Sequence, residues 1–150
     1  MTSHTKASTA RAAASSGAYG STSGTGSRGA RPLMGDLMVF SLLAEIDALR
    51  EEDQYKSGDR NSATLAKEVD FRVLLSVLRG GATLDKQDGD ARASIQLFEG
   101  TATLTVDKAV AEIAEGDVAV IDAGRPWFFR ANDDCAVLLT LAWPREKAGV

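Results

Sequence analysis

The sequence predicts an all-β fold, a barrel or a sandwich preceded by one helix, and three observations indicate this class. Short apolar segments recur from residue 62 onward, separated by turn sequences rich in Gly, Asp and Asn. No helical segment of useful length interrupts them, which disfavours a parallel sheet with crossover helices. The run Trp127-Phe128-Phe129 directly follows the turn AGRP at 123–126, and aromatic residues favour strands.

Residues 1–31 are predicted to form a disordered tail, which leaves residues 32–150 as the barrel domain. Ser, Thr, Gly and Ala fill 24 of the first 30 positions, so the tail buries too little apolar surface to offset its chain entropy. Its composition also resembles that of a targeting peptide, but its glycines disfavour the amphipathic helix that such a peptide forms. The letters GTGSRG at 24–29 match a dinucleotide-binding motif, but no strand is predicted before them and no helix after them. We therefore assign no nucleotide site to the tail.

Composition and charge limit the classes of partner. The chain is 44% hydrophobic and 25% charged, as in ordinary globular proteins. Residues 32–150 hold 13 basic and 21 acidic residues, a net charge of −8, whereas the tail is basic. An acidic domain repels phosphate backbones, so we expect no nucleic-acid partner. No apolar run of about 18 residues occurs, so we expect no membrane partner, and the single cysteine fits a cytoplasmic location.

The predicted elements run from one helix to a series of strands. Leu42, Ile46 and Leu49 recur at helical spacing, which predicts a helix over 37–52 with Ser41 as its N-cap. A polar loop is predicted over 53–61. Strands between turns are then predicted near 62–67, 71–78, 82–87, 94–98, 102–106, 109–113, 118–122, 127–131 and 135–142.

Two segments of the barrel region resemble the two sequence motifs of the cupin family. They are GATLDKQDGDARASIQLFEGTATLTV at 81–106 and EGDVAVIDAGRPWFFRA at 115–131. Glycines stand at the spacing of the family, and they are Gly81, Gly100, Gly116 and Gly124. The resemblance covers about residues 37–143. It implies a double-stranded β-helix, which is a small jelly-roll barrel, and often a homodimer.

The metal ligands of the cupin family do not carry over to this chain. The resemblance places Gln87 at a motif-one histidine, Ala93 at the acidic ligand and Trp127 at the motif-two histidine. A transition-metal site needs about three ligands from His, Cys or carboxylate side chains. The single histidine, His4, lies in the predicted tail. We therefore expect no bound metal and no cofactor.

The candidate ligand site is the barrel interior around the aromatic run. Strand alternation predicts that Trp127 and Phe129 point inward, with Ile95 on the facing strand. Arg125 at the barrel rim is placed to hold an acidic group of a ligand. With Gln87, these residues form a candidate pocket for a small apolar or planar ligand. The alternatives are plain core packing for the aromatic side chains and a solvated turn position for Arg125.

The predicted function is that of a metal-free cupin-domain protein without enzymatic activity, either a small-molecule-binding module or a dimeric scaffold. The alternative is a cupin-type enzyme, a dioxygenase or an isomerase, that uses an atypical metal site or none. No catalytic residue is predicted, because a domain without histidine has no Ser–His or Cys–His arrangement and nothing in the sequence singles out a carboxylate or a lysine for acid–base chemistry. Cys135 lies beside Asp133 and Asp134, which raise a thiol pKa, so we expect a buried and unreactive side chain.

Overall fold

The computed structural model describes residues 34–85 and 90–144. The predicted tail and Gln87 lie outside these residues. Within these residues two helices come first, α1 (Leu42–Glu51) and α2 (Asp53–Lys56). The described strands follow, and they are β1 (Arg60–Glu68), β2 (Phe71–Leu78), β3 (Thr83–Asp85), β4 (Arg92–Glu99), β5 (Thr101–Val106), β6 (Ala109–Ala114), β7 (Val118–Ile121), β8 (Trp127–Ala131) and β9 (Cys135–Ala142).

The strands form two sheets that face each other as a jelly-roll barrel. The five-stranded sheet has the order β1-β2-β9-β4-β7, and the four-stranded sheet has the order β3-β8-β5-β6. Every described strand pair is antiparallel. The predicted all-β double-stranded β-helix with a leading helix is therefore confirmed.

The predicted and observed boundaries agree along most of the barrel and differ before it. Strands β2, β8 and β9 have the predicted bounds. Helix α1 begins at Leu42 with Ser41 as N-cap, although the Ser41 side chain makes no capping hydrogen bond. The predicted polar loop 53–61 was wrong in part, because it contains α2 and the start of β1. The reason is Tyr55, which is buried in the apolar layer beneath α1 and holds this segment as a helical turn.

Apolar side chains cover both faces of the five-stranded sheet. Inside the barrel, buried residues from both sheets form one layer, hereafter the barrel cluster, whose largest members include Leu97, Leu104, Ile121, Trp127 and Phe129. On the outer face, α1 and α2 contribute to a second layer with Ile46, Leu49, Tyr55, Leu75 and Val77. Strand β2 is thus apolar on both faces, which explains its nearly continuous apolar sequence.

Polar contacts fix the helices to the sheet. The Asn61 amide nitrogen Nδ2 donates to the carbonyl oxygen of Leu49 at 3.0 Å and to Glu52 Oε1 at 2.9 Å. The guanidinium of Arg79 lies 4.2 Å from the ring centroid of Tyr55 and donates to the Tyr55 carbonyl at 3.1 Å. These contacts satisfy carbonyl groups at the C-terminal ends of both helices, where no intrahelical N–H donor is available.

Candidate functional site

Strand β8 sends alternate side chains into the barrel. Trp127, Phe129 and Ala131 are buried, whereas Phe128 and Arg130 are exposed. The exposed fraction is 5% for Trp127, 0% for Phe129 and 45% for Phe128. The predicted inward direction of Trp127 and Phe129 is therefore confirmed.

The two inward aromatic side chains are packed among aliphatic groups. Phe129 lies opposite Leu104 in the pairing of β5 with β8, and Trp127 lies opposite Val106. Ile95 on the facing sheet is 1% exposed and belongs to the same barrel cluster. The structure thus brings together three of the predicted site residues, Ile95, Trp127 and Phe129, in an apolar core. Whether a ligand reaches them stays a prediction.

Two of the positions that the cupin resemblance assigns to metal ligands, Ala93 and Trp127, face this apolar core. Ala93 carries only a methyl group and is 2% exposed, and the Trp127 indole has no lone pair suited to a metal. Both belong to the barrel cluster. In residues 34–85 and 90–144, no group of three or more His, Cys, Asp or Glu residues is arranged to hold a metal ion. The donor set at Ala93 and Trp127 does not fit a transition metal.

One end of the barrel, where β4 and β8 begin and β7 ends, carries exposed ion pairs; we call this end the mouth. Arg125 Nη1 lies 2.8 Å from Asp107 Oδ2, and Arg92 Nη1 lies 2.7 Å from Asp122 Oδ1. A hydrogen bond from the Ala123 amide, and then the Arg92 charge, lower the pKa of Asp122. The structure places Arg125 in a surface ion pair with Asp107, and its role towards a ligand stays a prediction.

Sequence reasoning missed Arg72, a charged residue that faces the barrel. Arg72 lies opposite Leu141 in the pairing of β2 with β9, and Leu141 belongs to the barrel cluster. Opposite residues of an antiparallel pair share a face. The Arg72 guanidinium lies 5.2 Å from the ring centroid of Trp143, which follows β9. The available signal was a basic residue between Phe71 and Val73 in a strand otherwise almost without polar residues.

Cys135 is buried at the opposite end of the barrel, as predicted. Its side chain is 0% exposed, and Sγ donates to the carbonyl oxygens of Thr101 at 3.2 Å and Asp133 at 3.3 Å. Burial, and then the negative charge of Asp133, raise the pKa of Cys135 from the usual 9.0 to about 11. The reactive thiolate is therefore scarce at neutral pH.

Known proteins are similar to this chain in structure, but no sequence family matches it. No family model and no curated protein matches the chain. A protein of unknown function from Streptococcus pyogenes is similar in structure, with a TM-score of 0.60, 24% identity and coverage of 75% of this chain and 93% of that one.

Two further structures carry cupin descriptions. A cupin superfamily protein from Desulfitobacterium hafniense has a TM-score of 0.54 and 15% identity, covering 57% of this chain and 78% of its own. The cupin domain of an XRE family transcriptional regulator from Enterobacter cloacae has a TM-score of 0.52 and 12% identity, covering 58% of this chain and 99% of its own. These likenesses show that this chain has the cupin fold, which the sequence motifs predicted.

Within the part of the chain that the structure describes, no helix is both long and apolar enough to cross a bilayer.

Proposed function

We propose that this chain is a metal-free, non-enzymatic cupin module of the cytoplasm, which binds a small molecule or serves as a dimeric scaffold. The observation that carries the proposal is that Ala93 and Trp127, at the positions that the resemblance assigns to metal ligands, belong to an apolar cluster. A fold alone does not define an activity. One neighbour of this fold is a domain of a transcriptional regulator, which supports a role outside catalysis.

The small-molecule half of the proposal concerns the barrel interior. The proposed contacts of an apolar or planar ligand are Gln87, Ile95, Arg125, Trp127 and Phe129. Trp127 supports this assignment best, because it begins β8 at the mouth and retains 5% exposure, whereas Ile95 and Phe129 are more deeply buried. A ligand would therefore meet the indole before it meets the rest of the core.

Metal content is the first test of this function. The purified full chain should contain no stoichiometric transition metal by elemental analysis. Adding iron, manganese or zinc should leave its thermal midpoint unchanged, because a ligand that binds only the folded state raises that midpoint. One metal per chain, together with an activity lost on chelation, would establish the enzyme instead.

The dimeric half of the proposal is supported by exposed apolar side chains on sheet edges. Val118 and Val120 are 57% and 72% exposed on β7, an edge strand of the five-stranded sheet. Val110 is 65% exposed on β6, an edge of the other sheet. Edge strands with exposed apolar side chains favour pairing with another chain.

Light scattering of the full chain tests the dimer and its surface. The wild type should have the mass of a dimer at micromolar concentration. The double change Val118→Lys and Val120→Lys should shift it to a monomer, because two buried ammonium groups would oppose pairing. Val69→Lys is the matched control, since Val69 is 80% exposed in the turn between β1 and β2 and should leave the dimer intact. A monomeric wild type would contradict the scaffold.

A further inference from the structure

The segment before α1 carries exposed apolar side chains, and we call residues Met34–Val39 the arm. The arm belongs to no helix or strand of the described structure, and two residues separate it from α1. Within it, Met34 is 52% exposed and Leu37 is 80% exposed. Two large apolar side chains this close together gain free energy when another surface covers them.

The outer face of the five-stranded sheet is uncovered along β7. Val118 lies opposite Gln96 in the pairing of β4 with β7, and Gln96 lies opposite Leu138 in the pairing of β4 with β9. Opposite residues of an antiparallel pair share a face, and Leu138 packs against the apolar layer beneath α1. Val118 is therefore on the outer face, and so is Val120, two residues further along the strand. They are 57% and 72% exposed, and no described residue of β7 belongs to the layer beneath α1.

The arm and the two β7 valines belong to the same face of the sheet. Helix α1 packs on the outer face through Ile46 and Leu49, so the arm that precedes it is attached on that face. A two-fold axis that brings the outer faces of two copies together places the arm of each copy over β7 of the other. Such a contact is isologous and closed, because one symmetry operation covers both arms and both strands.

The arm is long enough to cover the exposed part of β7. Strand β7 has four residues, Val118–Ile121, and spans about 13 Å at about 3.3 Å per residue. The arm has six residues and spans up to about 20 Å when extended. One arm therefore reaches both valines of a second copy.

Charge disfavours direct pairing of two β7 strands. The segment 115–122 holds three acidic residues and no basic residue, namely Glu115, Asp117 and Asp122. Arg92 on β4 pairs with Asp122 and offsets one of these charges. Antiparallel pairing of two β7 strands would bring the start of each strand against the end of the other, and hence the acidic segments of both copies together. Like charges across an interface oppose association.

The arm suits this surface better in composition than the chain before it does. Apart from alanine and proline, residues 1–33 hold three apolar side chains, which are Met1, Tyr19 and Leu33. Among its six residues the arm holds four, which are Met34, Leu37, Met38 and Val39. Arg28 and Arg31 precede the arm and are opposite in charge to the acidic residues around β7.

We propose that the arm of each copy packs on β7 of a second copy of this chain, with Leu37 contacting Val118 and Val120. The proposal rests on the dimeric half of the proposed function and deepens it by naming the segment that joins the two copies. It replaces direct contact between two edge strands with an exchange of arms.

A disulfide tests the contact in the full chain. A disulfide requires that two Cβ atoms approach to about 4 Å. The double change Leu37→Cys and Val118→Cys should therefore give a covalent dimer with oxidised glutathione, seen on a non-reducing gel. Native Cys135 is 0% exposed and should not compete. The matched control combines Val118→Cys with Val69→Cys. Val69 is 80% exposed, as Leu37 is, but lies in the turn after β1, at the opposite edge of the sheet, so no cross-link is expected.

Substitution of Leu37 measures what the arm contributes to association. Leu37→Asp should raise the dimer Kd at least about tenfold in sedimentation equilibrium, because it removes an apolar contact and adds a charge facing acidic residues. Val69→Asp adds the same charge at the same exposure and should leave the Kd unchanged. Both positions are exposed in the single chain, so both variants should fold, which circular dichroism checks.

The possible results separate this inference from the proposed function. A monomeric wild type would overturn the inference together with the dimeric half of the proposed function. A dimeric wild type whose Kd is unchanged by Leu37→Asp would overturn the arm and leave the dimer standing.

The cross-linking results distinguish the partners of the arm. A disulfide within a single chain would show that the arm covers β7 of its own copy, and the absence of any disulfide would show that the two positions do not meet. Either result overturns the exchange of arms. A covalent dimer of Val118→Cys alone would establish direct pairing of β7 strands in its place.

Discussion

Replacing Trp127 with alanine separates a packed core from an open ligand pocket. Trp127 is 5% exposed and belongs to the barrel cluster. A buried aromatic side chain removes about 150–250 Å² from water. At about 25 cal/mol per Å², this burial contributes about 4–6 kcal/mol. Alanine keeps the Cβ and the unfolded chain already buries some surface, so the expected loss is about 3–5 kcal/mol.

Denaturant titration measures this loss as a change in the free energy of unfolding. Domains are typically stable by about 5–15 kcal/mol, so Trp127→Ala should leave little stability or none. Phe129→Ala should have a similar effect, because Phe129 is 0% exposed in the same cluster. Phe128→Ala is the matched control on the same strand. Phe128 is 45% exposed on the other face, so its loss should stay below about 1 kcal/mol.

A mild effect at Trp127 would refute the packing argument. A loss under about 1.5 kcal/mol would mean that the indole is already largely hydrated in the free protein, in contradiction to its burial. All three substitutions replace an aromatic side chain with alanine, and they differ mainly in how deeply that side chain is buried. Equal losses at Phe128 and Trp127 would therefore refute the assignment of faces on β8.

The remaining predictions concern one glycine and the buried thiol. Gly100→Ala should destabilise the fold more than Gly116→Ala. Both glycines have a positive φ, of 90° and 94°, but a Cβ at Gly100 would collide with the Asp134 carbonyl oxygen and one at Gly116 meets nothing within 4 Å. Comparable denaturation midpoints would contradict this. Stability should also fall as pH rises from 9.0 to about 11, because the unfolded chain loses the Cys135 proton at a lower pH than the folded chain does. In Cys135→Ala, the part of the stability loss that comes from the thiol should be absent. A pH profile of stability identical to that of the wild type would contradict the raised pKa of Cys135.

The sequence alone predicted the all-β fold, most of its strands and turns, and side chains at Ala93 and Trp127 that are not metal donors. Alternation along Trp127-Phe128-Phe129 depends only on the geometry of one strand, so the inward faces of Trp127 and Phe129 were predictable. The identities of Ala93 and Trp127 at the cupin ligand positions are also properties of the sequence. Local patterns sufficed here because each feature depends on neighbouring residues.

Tertiary structure decided the features that join distant parts of the chain. Tyr55 belongs to a segment that is polar in sequence, and it became a helical turn because the outer face of the five-stranded sheet buries its ring. Arg72 meets Trp143 only because β2 pairs with β9, and the register of that pairing sets which face the guanidinium occupies. A register shift of one residue would turn Arg72 away from the barrel. Contacts between residues far apart in sequence follow from packing of the whole domain, which no local pattern encodes.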